Sequence, residues 1–188
     1  QNKVDYAAPR GTRIAAADLD GDGKIDLVAT SAMTSEVSVL LNNGDGTFKT
    51  RVGYQTSAAT TGLVLGDFDG SGKADIVAGS GGSLAFLANA GNGTFRAAVN
   101  TAVAGASSLP TLTAGDMDAN GTLDLALVNP MSNRVEIWLN SCSGQFSDAG
   151  KMFAGNTPSD VALVDLNGDM KLDLVWSNAN GLRFALRQ

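Results

Sequence analysis

One nine-residue pattern recurs four times in this sequence and constrains the fold more than any other feature. Its first copy, residues 18–26, has the sequence DLDGDGKID, in which oxygen-bearing side chains occupy every second position around two glycines. The copies begin at residues 18, 67, 116 and 165, so the interval is 49 residues each time. A constant interval of this length predicts a repeat architecture, in which each repeat is one supersecondary unit.

The chemistry of the nine-residue loop suits a calcium ion, which takes about 6 to 8 oxygen ligands at roughly 2.3 to 2.6 Å. Side chains at loop positions one, three, five and nine can converge if glycine lets the backbone turn sharply, and position seven would offer its carbonyl. The predicted ligands are Asp18, Asp20, Asp22, Lys24 and Asp26; Asp67, Asp69, Ser71, Lys73 and Asp75; Asp116, Asp118, Asn120, Thr122 and Asp124; and Asp165, Asn167, Asp169, Lys171 and Asp173.

The four predicted calcium sites are not equivalent. The first loop offers four carboxylates and each of the others offers three. In the fourth loop Met170 replaces the second glycine, so it must either take a strained positive φ or displace the loop. We therefore expect about four bound ions, with the fourth site the weakest.

An EF-hand is the obvious alternative for such spacing, but its twelfth position requires a bidentate glutamate. The residues at that position are Ala29, Ala78, Leu127 and Trp176. The segments after each loop are short and β-rich, without a helical period. The sequence therefore indicates β-strands, about four for each repeat of roughly 50 residues, which is the period of a propeller blade.

A turn such as residues 43–48, NGDGTF, follows the third strand. This combination of loop, strands and Gly-x-x-Phe turn resembles the FG-GAP and VCBS repeats, which build the calcium-bearing β-propellers of integrin α-subunit heads and of several secreted proteins. The resemblance implies an all-β fold: a β-propeller of four-stranded antiparallel blades in one domain, residues 1–188. The repeats are expected at about residues 12–54, 62–103, 110–153 and 160–188, the last completed by residues 1–11.

The fourth repeat ends one strand short, while the N-terminus carries one strand of the matching type, Lys3 to Tyr6. Pairing this strand with Leu182 to Leu186 would close a ring and remove exposed sheet edges. Three arrangements remain open: a self-closed four-bladed monomer, a fragment of a larger propeller, or a ring completed by a homo-oligomer. We favour self-closure, because an intramolecular strand has a high effective concentration.

Composition restricts the function. Of the 17 aspartates, 13 occupy the loops, so the formal net charge of −6 is a property of the calcium sites. The chain has no histidine, the commonest general base, and few acids remain outside the loops, so we expect no enzymatic activity. No apolar run approaches the ~18 residues of a membrane span. A protein whose stability depends on calcium suits the high calcium concentration outside cells, so we expect an extracellular or periplasmic location. We expect no nucleic-acid partner.

We expect the ligand site on the face opposite the calcium loops, because the connections there differ in length and chemistry. The candidates are Arg10, Arg13, Met131, Asn133 and Asn180. Trp138 and Trp176 could stack on a sugar, but filling space between blades is the favoured interpretation. The predicted function is a calcium-stabilised module that binds a glycan or an extracellular protein. The alternatives are a structural fragment of a larger propeller or an accessory domain of a secreted enzyme.

Overall fold

The computed structural model describes residues 5–6, 11 and 13–187, and these residues form strands and turns without a helix. The strands build four antiparallel sheets, which we call blades 1 to 4. Blade 1 contains β1 (Arg13–Ala17), β2 (Asp26–Thr30), β3 (Glu36–Leu40) and β4 (Val52–Gln55); blade 2 contains β5 (Thr60–Gly66), β6 (Asp75–Ser80), β7 (Ser83–Leu87) and β8 (Val99–Ala102); blade 3 contains β9 (Leu112–Gly115), β10 (Asp124–Asn129), β11 (Arg134–Asn140) and β12 (Phe146–Phe153); blade 4 contains β13 (Asp160–Val164), β14 (Asp173–Asn178) and β15 (Gly181–Ala185).

Each blade is a simple meander, in which every strand pairs with the next along the chain. The central strands carry apolar residues on both faces, as in β6 (DIVAGS) and β10 (DLALVN), where every residue is buried. A strand covered on both faces needs such a continuous apolar run. The tight connections are supplied by glycines with positive φ, such as Gly44 at 88° and Gly91 at 95°.

The hydrophobic core is divided into three clusters, each between two successive blades. Val28 and Val37 pack with Ile76 and Leu87 between blades 1 and 2. Phe68 and Phe86 pack with Leu127 and Trp138 between blades 2 and 3, and Val128 packs with Trp176 between blades 3 and 4. The innermost strands also meet in succession, β1 with β5, β5 with β9 and β9 with β13. The blades therefore stack face to face in chain order.

Both tryptophans fill space between blades, as the favoured interpretation predicted. Trp138 is 5% exposed and Trp176 is 6% exposed. The indole N–H of Trp176 donates to the Ala154 carbonyl at 2.9 Å, so its polar group is satisfied inside the blade 3–blade 4 cluster.

The all-β class and the four antiparallel sheets are confirmed. The outer strands of blades 1 and 2 begin at Val52 and Val99, and Phe48 and Phe95 before them form only isolated bridges with Asn42 and Asn89. The residues between each bridge and the following strand do not belong to the strand pairing. In blade 3, by contrast, β12 already starts at Phe146, and its pairing with β11 contains a bulge at Ile137/Trp138.

Closure of the ring is not seen in the described residues. Lys3 and Val4 of the predicted closing strand lie outside them, and β15 pairs with β14 alone among the described strands. The apolar clusters of the described residues join blade 1 to 2, 2 to 3 and 3 to 4, and none of them joins blade 4 to blade 1. In the described part of the chain, no helix is long and apolar enough to cross a membrane.

Candidate metal centres

The four aspartate-rich loops connect the first and second strands of the blades, on the same side as the turns after the third strands. The aliphatic part of the Lys24 side chain packs against Gly44, where an added Cβ would be only 2.5 Å from Lys24 Cε. Lys73 packs against Gly91 in the same way. In blade 3 the Thr122 hydroxyl donates to the Asn140 carbonyl at 2.9 Å. Loop and turn therefore form one surface, as their positions in an antiparallel meander predict.

The first aspartate of each loop holds the loop backbone in a constant way. Its Oδ2 accepts the N–H of the sixth loop residue in all four copies, from Gly23 at 2.9 Å, Gly72 at 2.7 Å, Gly121 at 2.9 Å and Met170 at 2.9 Å. These N–H bonds lower the pKa of Asp165, with the Met170 amide as the largest cause. The carboxylate is thereby kept ionised and available to a cation.

Carboxylates converge in three of the loops. Among the described residues, three groups each bring potential ligand oxygens within 4.8 Å of one another: Asp18, Asp20 and Asp22; Asp67, Asp69 and Asp75; Asp116, Asp118 and Asp124. Oxygens that share one calcium ion at 2.3 to 2.6 Å cannot be more than about 5 Å apart. The donor sets of these three loops therefore fit a hard divalent cation.

The ninth-position aspartates have a second role, which joins the loop to its own blade. Each is at most 1% exposed. One oxygen accepts the N–H of the second loop residue, at 2.8 to 3.0 Å in the four loops. The other oxygen accepts the N–H of a residue at or just after the end of the third strand, such as Asn42 at 2.7 Å and Asn89 at 2.8 Å. In the first loop Asp26 has this anchoring role and is not one of the three grouped carboxylates.

Burial opposes ionisation at two of these anchors. Desolvation raises the pKa of Asp75 and of Asp124, although the backbone N–H donors partly offset it. Like charges nearby, such as Asp69 beside Asp75, raise it further. A bound cation would offset both costs.

In the first loop Lys24 donates to Asp22 at 2.7 Å and lowers the pKa of that carboxyl.

The fourth loop keeps the backbone geometry but not the carboxylate group. Met170 takes a φ of 66°, near the 82° of Gly23, the 76° of Gly72 and the 84° of Gly121, so it accepts the strained conformation and does not displace the loop. Residues 165–173, all of them described, form no carboxylate group like the other three. Asn167 instead donates its side-chain amide to Asp169 at 3.1 Å. The predicted lower affinity of this site has a structural basis in that arrangement.

Sequence reasoning missed a second strained residue and a repeated latch. Ala119 has a φ of 61° where the other loops have Gly21, Gly70 and Gly168. We call the asparagine at or just after the end of the third strand in blades 1 to 3 the latch. Asn89 donates to the Leu19 carbonyl of blade 1 at 2.9 Å, and Asn140 donates to the Phe68 carbonyl of blade 2 at 2.7 Å. Asparagines at residues 42, 89 and 140, each preceded by a strand, were a visible signal of it.

Four of the five predicted ligand-face residues lie in the described part of the chain, on blades 1, 3 and 4. Arg10 lies outside the described residues. The Arg13 side chain donates to the Pro110 carbonyl at 3.2 and 3.3 Å, between blade 1 and the start of blade 3. Asn133 has a φ of 54°, and its side chain accepts the Thr157 N–H at 2.9 Å. Met131, 68% exposed, and Asn180 lie in turns of blades 3 and 4. The structure brings no two of them into a described cavity.

A cavity of about 190 Å³ lies instead between blades 2 and 3. It is lined by Asp69, Arg96, Ser143 and Gln145 and by Phe86.

The two glutamates outside the loops take part in ion pairs: Glu36 with Arg51, and the fully buried Glu136 with Lys151 at 3.4 Å.

Solved structures of three proteins resemble this fold. A lectin of Agrocybe aegerita, described as recognising non-reducing terminal N-acetylglucosamine, is 20% identical with a TM-score of 0.63, over 94% of this chain and 49% of its own. The V. cholerae biofilm matrix protein Bap1 is 24% identical with a TM-score of 0.58, over 87% and 23%. BBS1N, solved in complex with ARL6DN, is 13% identical with a TM-score of 0.68, over 96% and 54%.

These similarities establish the propeller-like fold, and in each case the chain spans about half or less of the protein it matches. No curated protein sequence matches the chain. The profile of the FG-GAP-like repeat matches residues 18–78, 67–127 and 116–176, three overlapping pairs of adjacent loops that together cover most of the sequence. The chain therefore belongs to the FG-GAP-like repeat family.

Proposed function

We propose that this protein is a non-catalytic binding module, stabilised by calcium outside the cell, that recognises a glycan or an extracellular protein. The observation that carries the proposal is the recurrence of three carboxylate groups with oxygens within 4.8 Å of one another, on one side of successive blades. Such groups repel one another when ionised, and a divalent cation converts that repulsion into attraction.

The residues of this chain determine what a bound cation would do. The first aspartate fixes the loop backbone through the sixth-residue N–H, and the ninth aspartate connects the loop to the end of the third strand. A cation shared by these carboxylates supplies positive charge between them and joins the same segments more strongly. Calcium therefore stiffens the side of the blades on which it binds, while the opposite connections remain free to differ between repeats.

A ligand of glycan or protein type is supported by the fold comparison. The proteins similar in fold include a lectin and a biofilm matrix protein. Absence of histidine and the engagement of both glutamates in ion pairs favour binding without catalysis. The extracellular setting is part of the proposal, because calcium sites of extracellular modules fill at the high calcium concentrations found outside cells.

Calorimetric titration of calcium tests the metal sites. We expect at least three binding events in the metal-free protein, and Asp118→Asn should lower the affinity of one of them by about tenfold or more, since it removes one of three grouped carboxylates. Asp45→Asn is the matched control: Asp45 is also an exposed loop aspartate but lies outside all three groups. Titration that shows no calcium binding, or equal losses in both variants, would remove the proposal.

The ligand is tested on a glycan array with and without a chelator. Calcium-dependent binding to a defined glycan class supports a lectin-like module, and retention of a labelled extracellular protein with no glycan signal supports the protein ligand. A panel of chromogenic hydrolase substrates tests the absence of catalysis. Turnover that persists in repeated preparations would contradict the non-catalytic assignment.

A second candidate is a structural segment of a larger propeller. It is favoured by one specific observation, that four blades cover only 49% of the lectin and 54% of BBS1N. On this view the chain has no ligand of its own beyond calcium. Failure of all glycan and protein binding, with calcium binding intact, would select this candidate.

A further inference from the structure

Blade 4 exposes the face that every other blade buries against its successor. Leu182 lies opposite Ser177 on β14 and β15. Residues at the same position of the ladder in blades 1 to 3 are completely buried, whereas Leu182 is 80% exposed. The three buried equivalents are Val37, Leu84 and Val135. Nothing in the local sequence explains this difference, because all four residues are aliphatic.

Two further positions on this trailing face of blade 4, the face directed away from blade 3, behave in the same way. Phe184 is 64% exposed, while its equivalents Val39 and Phe86 are 2% and 6% exposed and the third, Ile137, is partly buried. Leu166 in the fourth loop is 49% exposed, while the second residues of the first three loops are at most 3% exposed. The trailing face therefore carries the residues of a blade-to-blade contact without a partner blade.

The leading face of blade 1, which is directed away from blade 2, lacks a covering blade in the same way. Ile14 on β1 lies opposite Ala29 and is 73% exposed. Its equivalents on β9 and β13 are Leu112 and Val161, which are 8% and 5% exposed because the preceding blade covers them. The chain thus ends in two unpaired halves of one interface, an interface it forms three times internally.

Tyr6 marks where a preceding blade belongs. Its ring packs edge-on against Phe48 with centroids 5.4 Å apart, and its hydroxyl accepts the Phe48 N–H at 2.9 Å. Tyr54, on the outer strand of blade 1, makes the same two contacts with Phe95 of blade 2, at 5.4 Å and 3.2 Å. Tyr6 therefore occupies the position of an outer-strand residue in a blade ahead of blade 1. Blade 4 has no outer strand among the described residues.

The asparagine latch gives the same result. Asn89 and Asn140 each donate both to a carbonyl of their own blade and to the second loop residue of the preceding blade. Among the described residues, the Asn42 side chain donates only to its own Ile25 carbonyl, at 2.8 Å. Asn89 and Asn140 donate to the Leu19 and Phe68 carbonyls of the preceding blade. The corresponding acceptor for Asn42 would be the Leu166 carbonyl of a blade equivalent to blade 4.

We propose that the occupant of the trailing face is the leading face of a second copy of this chain. Blade 1 of one copy covers Leu182, Phe184 and Leu166 of the other, and the segment containing Tyr6 becomes the missing outer strand beside β15. Two copies joined head to tail at both ends form a closed ring of eight blades, within the range of about four to eight that propellers adopt. Each contact continues the interface already made between blades 1 and 2, 2 and 3, and 3 and 4.

A second copy fits better than self-closure, because both end faces are exposed in the same molecule. If blade 4 covered blade 1 of its own chain, Ile14 and Leu182 would be buried together, and they are 73% and 80% exposed. The arc of four blades also superposes on about half of longer propeller-like chains. The proposal concerns assembly and does not depend on the identity of the ligand.

Sedimentation and light scattering in millimolar calcium test the assembly. We expect the 188-residue chain to be a dimer at micromolar concentration. Leu182→Glu with Phe184→Glu on the trailing face, or Ile14→Glu on the leading face, should each give monomers, because every head-to-tail contact then contains one altered face. Val99→Glu is the control, since Val99 is a 54% exposed apolar strand residue of blade 2. Circular dichroism and melting curves show whether each variant is folded.

Mixing the two interface variants is the decisive step. The unaltered leading face of one and the unaltered trailing face of the other make one good contact, so the mixture should contain heterodimers that neither variant forms alone. A monomeric wild-type chain overturns the proposal. So does a dimer that Ile14→Glu leaves intact, because two trailing faces would then be packed against each other.

Disulfide trapping distinguishes the second copy from self-closure without depending on destabilised variants. Tyr54 lies opposite Val37 in blade 1, so the proposed strand places Tyr6 of one copy opposite Leu182 of the other. In a Cys142→Ser background, chains with Tyr6→Cys are mixed with chains with Leu182→Cys and oxidised. We expect a covalent dimer on a non-reducing gel. If the covalent dimer is absent, and a chain with both cysteines forms only an internal disulfide, the ring is self-closed and the proposal is wrong.

Discussion

At the scale of single residues, the calcium loops depend on two backbone positions with positive φ. Glycine occupies them in six of eight cases, and Ala119 and Met170 occupy the other two, at 61° and 66°. An L-residue in this region costs roughly 1–2 kcal/mol. The strain is retained because the N–H of the sixth residue must point at the first aspartate, as the Met170 N–H does at 2.9 Å from Asp165.

Met170→Gly should therefore stabilise the protein. The side chain is 94% exposed, so its removal loses no packing, and release of the strain outweighs the added entropy of the unfolded chain by up to about 1 kcal/mol. Denaturant unfolding of the metal-free protein measures the change. Gly121→Ala is the converse control: its φ is 84° and a Cβ would meet nothing within 4 Å, so it should destabilise by strain alone. Equal stability of Met170→Gly and the wild type would contradict the account.

At the scale of strands and loops, successive blades are joined by polar contacts as well as by apolar packing. The Asn140 side chain is 2% exposed and connects its own Leu123 carbonyl to the Phe68 carbonyl of blade 2, at 3.1 and 2.7 Å. Tyr54 adds a ring contact and a hydrogen bond from blade 1 to blade 2. These contacts fix the angle between neighbouring sheets, because hydrogen bonds are directional whereas apolar burial is not.

Asn140→Ala should destabilise the chain by about 1–3 kcal/mol, since it removes the hydrogen bonds to the Leu123 carbonyl of its own blade and to the Phe68 carbonyl of blade 2. The same substitution at the equivalent Asn42 removes bonds to Ile25 and Gly44 of its own blade and, among the described residues, none between blades, so it should cost less in a monomeric background. Urea unfolding of both variants in the Ile14→Glu chain makes the comparison. A larger loss at Asn42 than at Asn140 would contradict the latch.

At the scale of the whole molecule, stability and charge are linked through the loops. Thirteen aspartates lie in four loops on one side of the blades, and the formal net charge of −6 is concentrated there. Without a cation these carboxylates repel one another over distances shorter than the screening length of physiological salt. Binding of a divalent ion to the folded protein alone shifts the equilibrium towards folding.

Calcium should raise the melting temperature strongly. At 100 times its dissociation constant an ion adds about 2.7 kcal/mol per site, which corresponds to roughly 5–10 °C for a domain of this size. Differential scanning calorimetry in calcium and in excess chelator measures the shift. Magnesium at the same concentration is the control and should act more weakly, since it requires strict octahedral geometry. A melting temperature that is the same in calcium and in chelator would refute calcium stabilisation.

The sequence by itself determined the features that are local. The nine-residue loop, its two positive-φ positions and the strands on either side depend on residues within one repeat, and the 49-residue interval copies them four times. Ligand chemistry and glycine conformation are short-range properties, so the loops and the all-β class could be predicted. The lower affinity of the fourth site stays a prediction. Asp26 shows the limit even here, since its anchoring of Asn42 depends on a contact 16 residues away.

Only the tertiary structure decided the features that depend on which surfaces meet. Val37 and Leu182 are both aliphatic and occupy the same ladder position, yet one is fully buried and the other is 80% exposed, because only one of them has a following blade. The ligand candidates on different blades were predicted from loop variability, and no local rule fixes the distance between blades. Burial and assembly are set by packing across the whole arc, which residue types within one repeat do not specify.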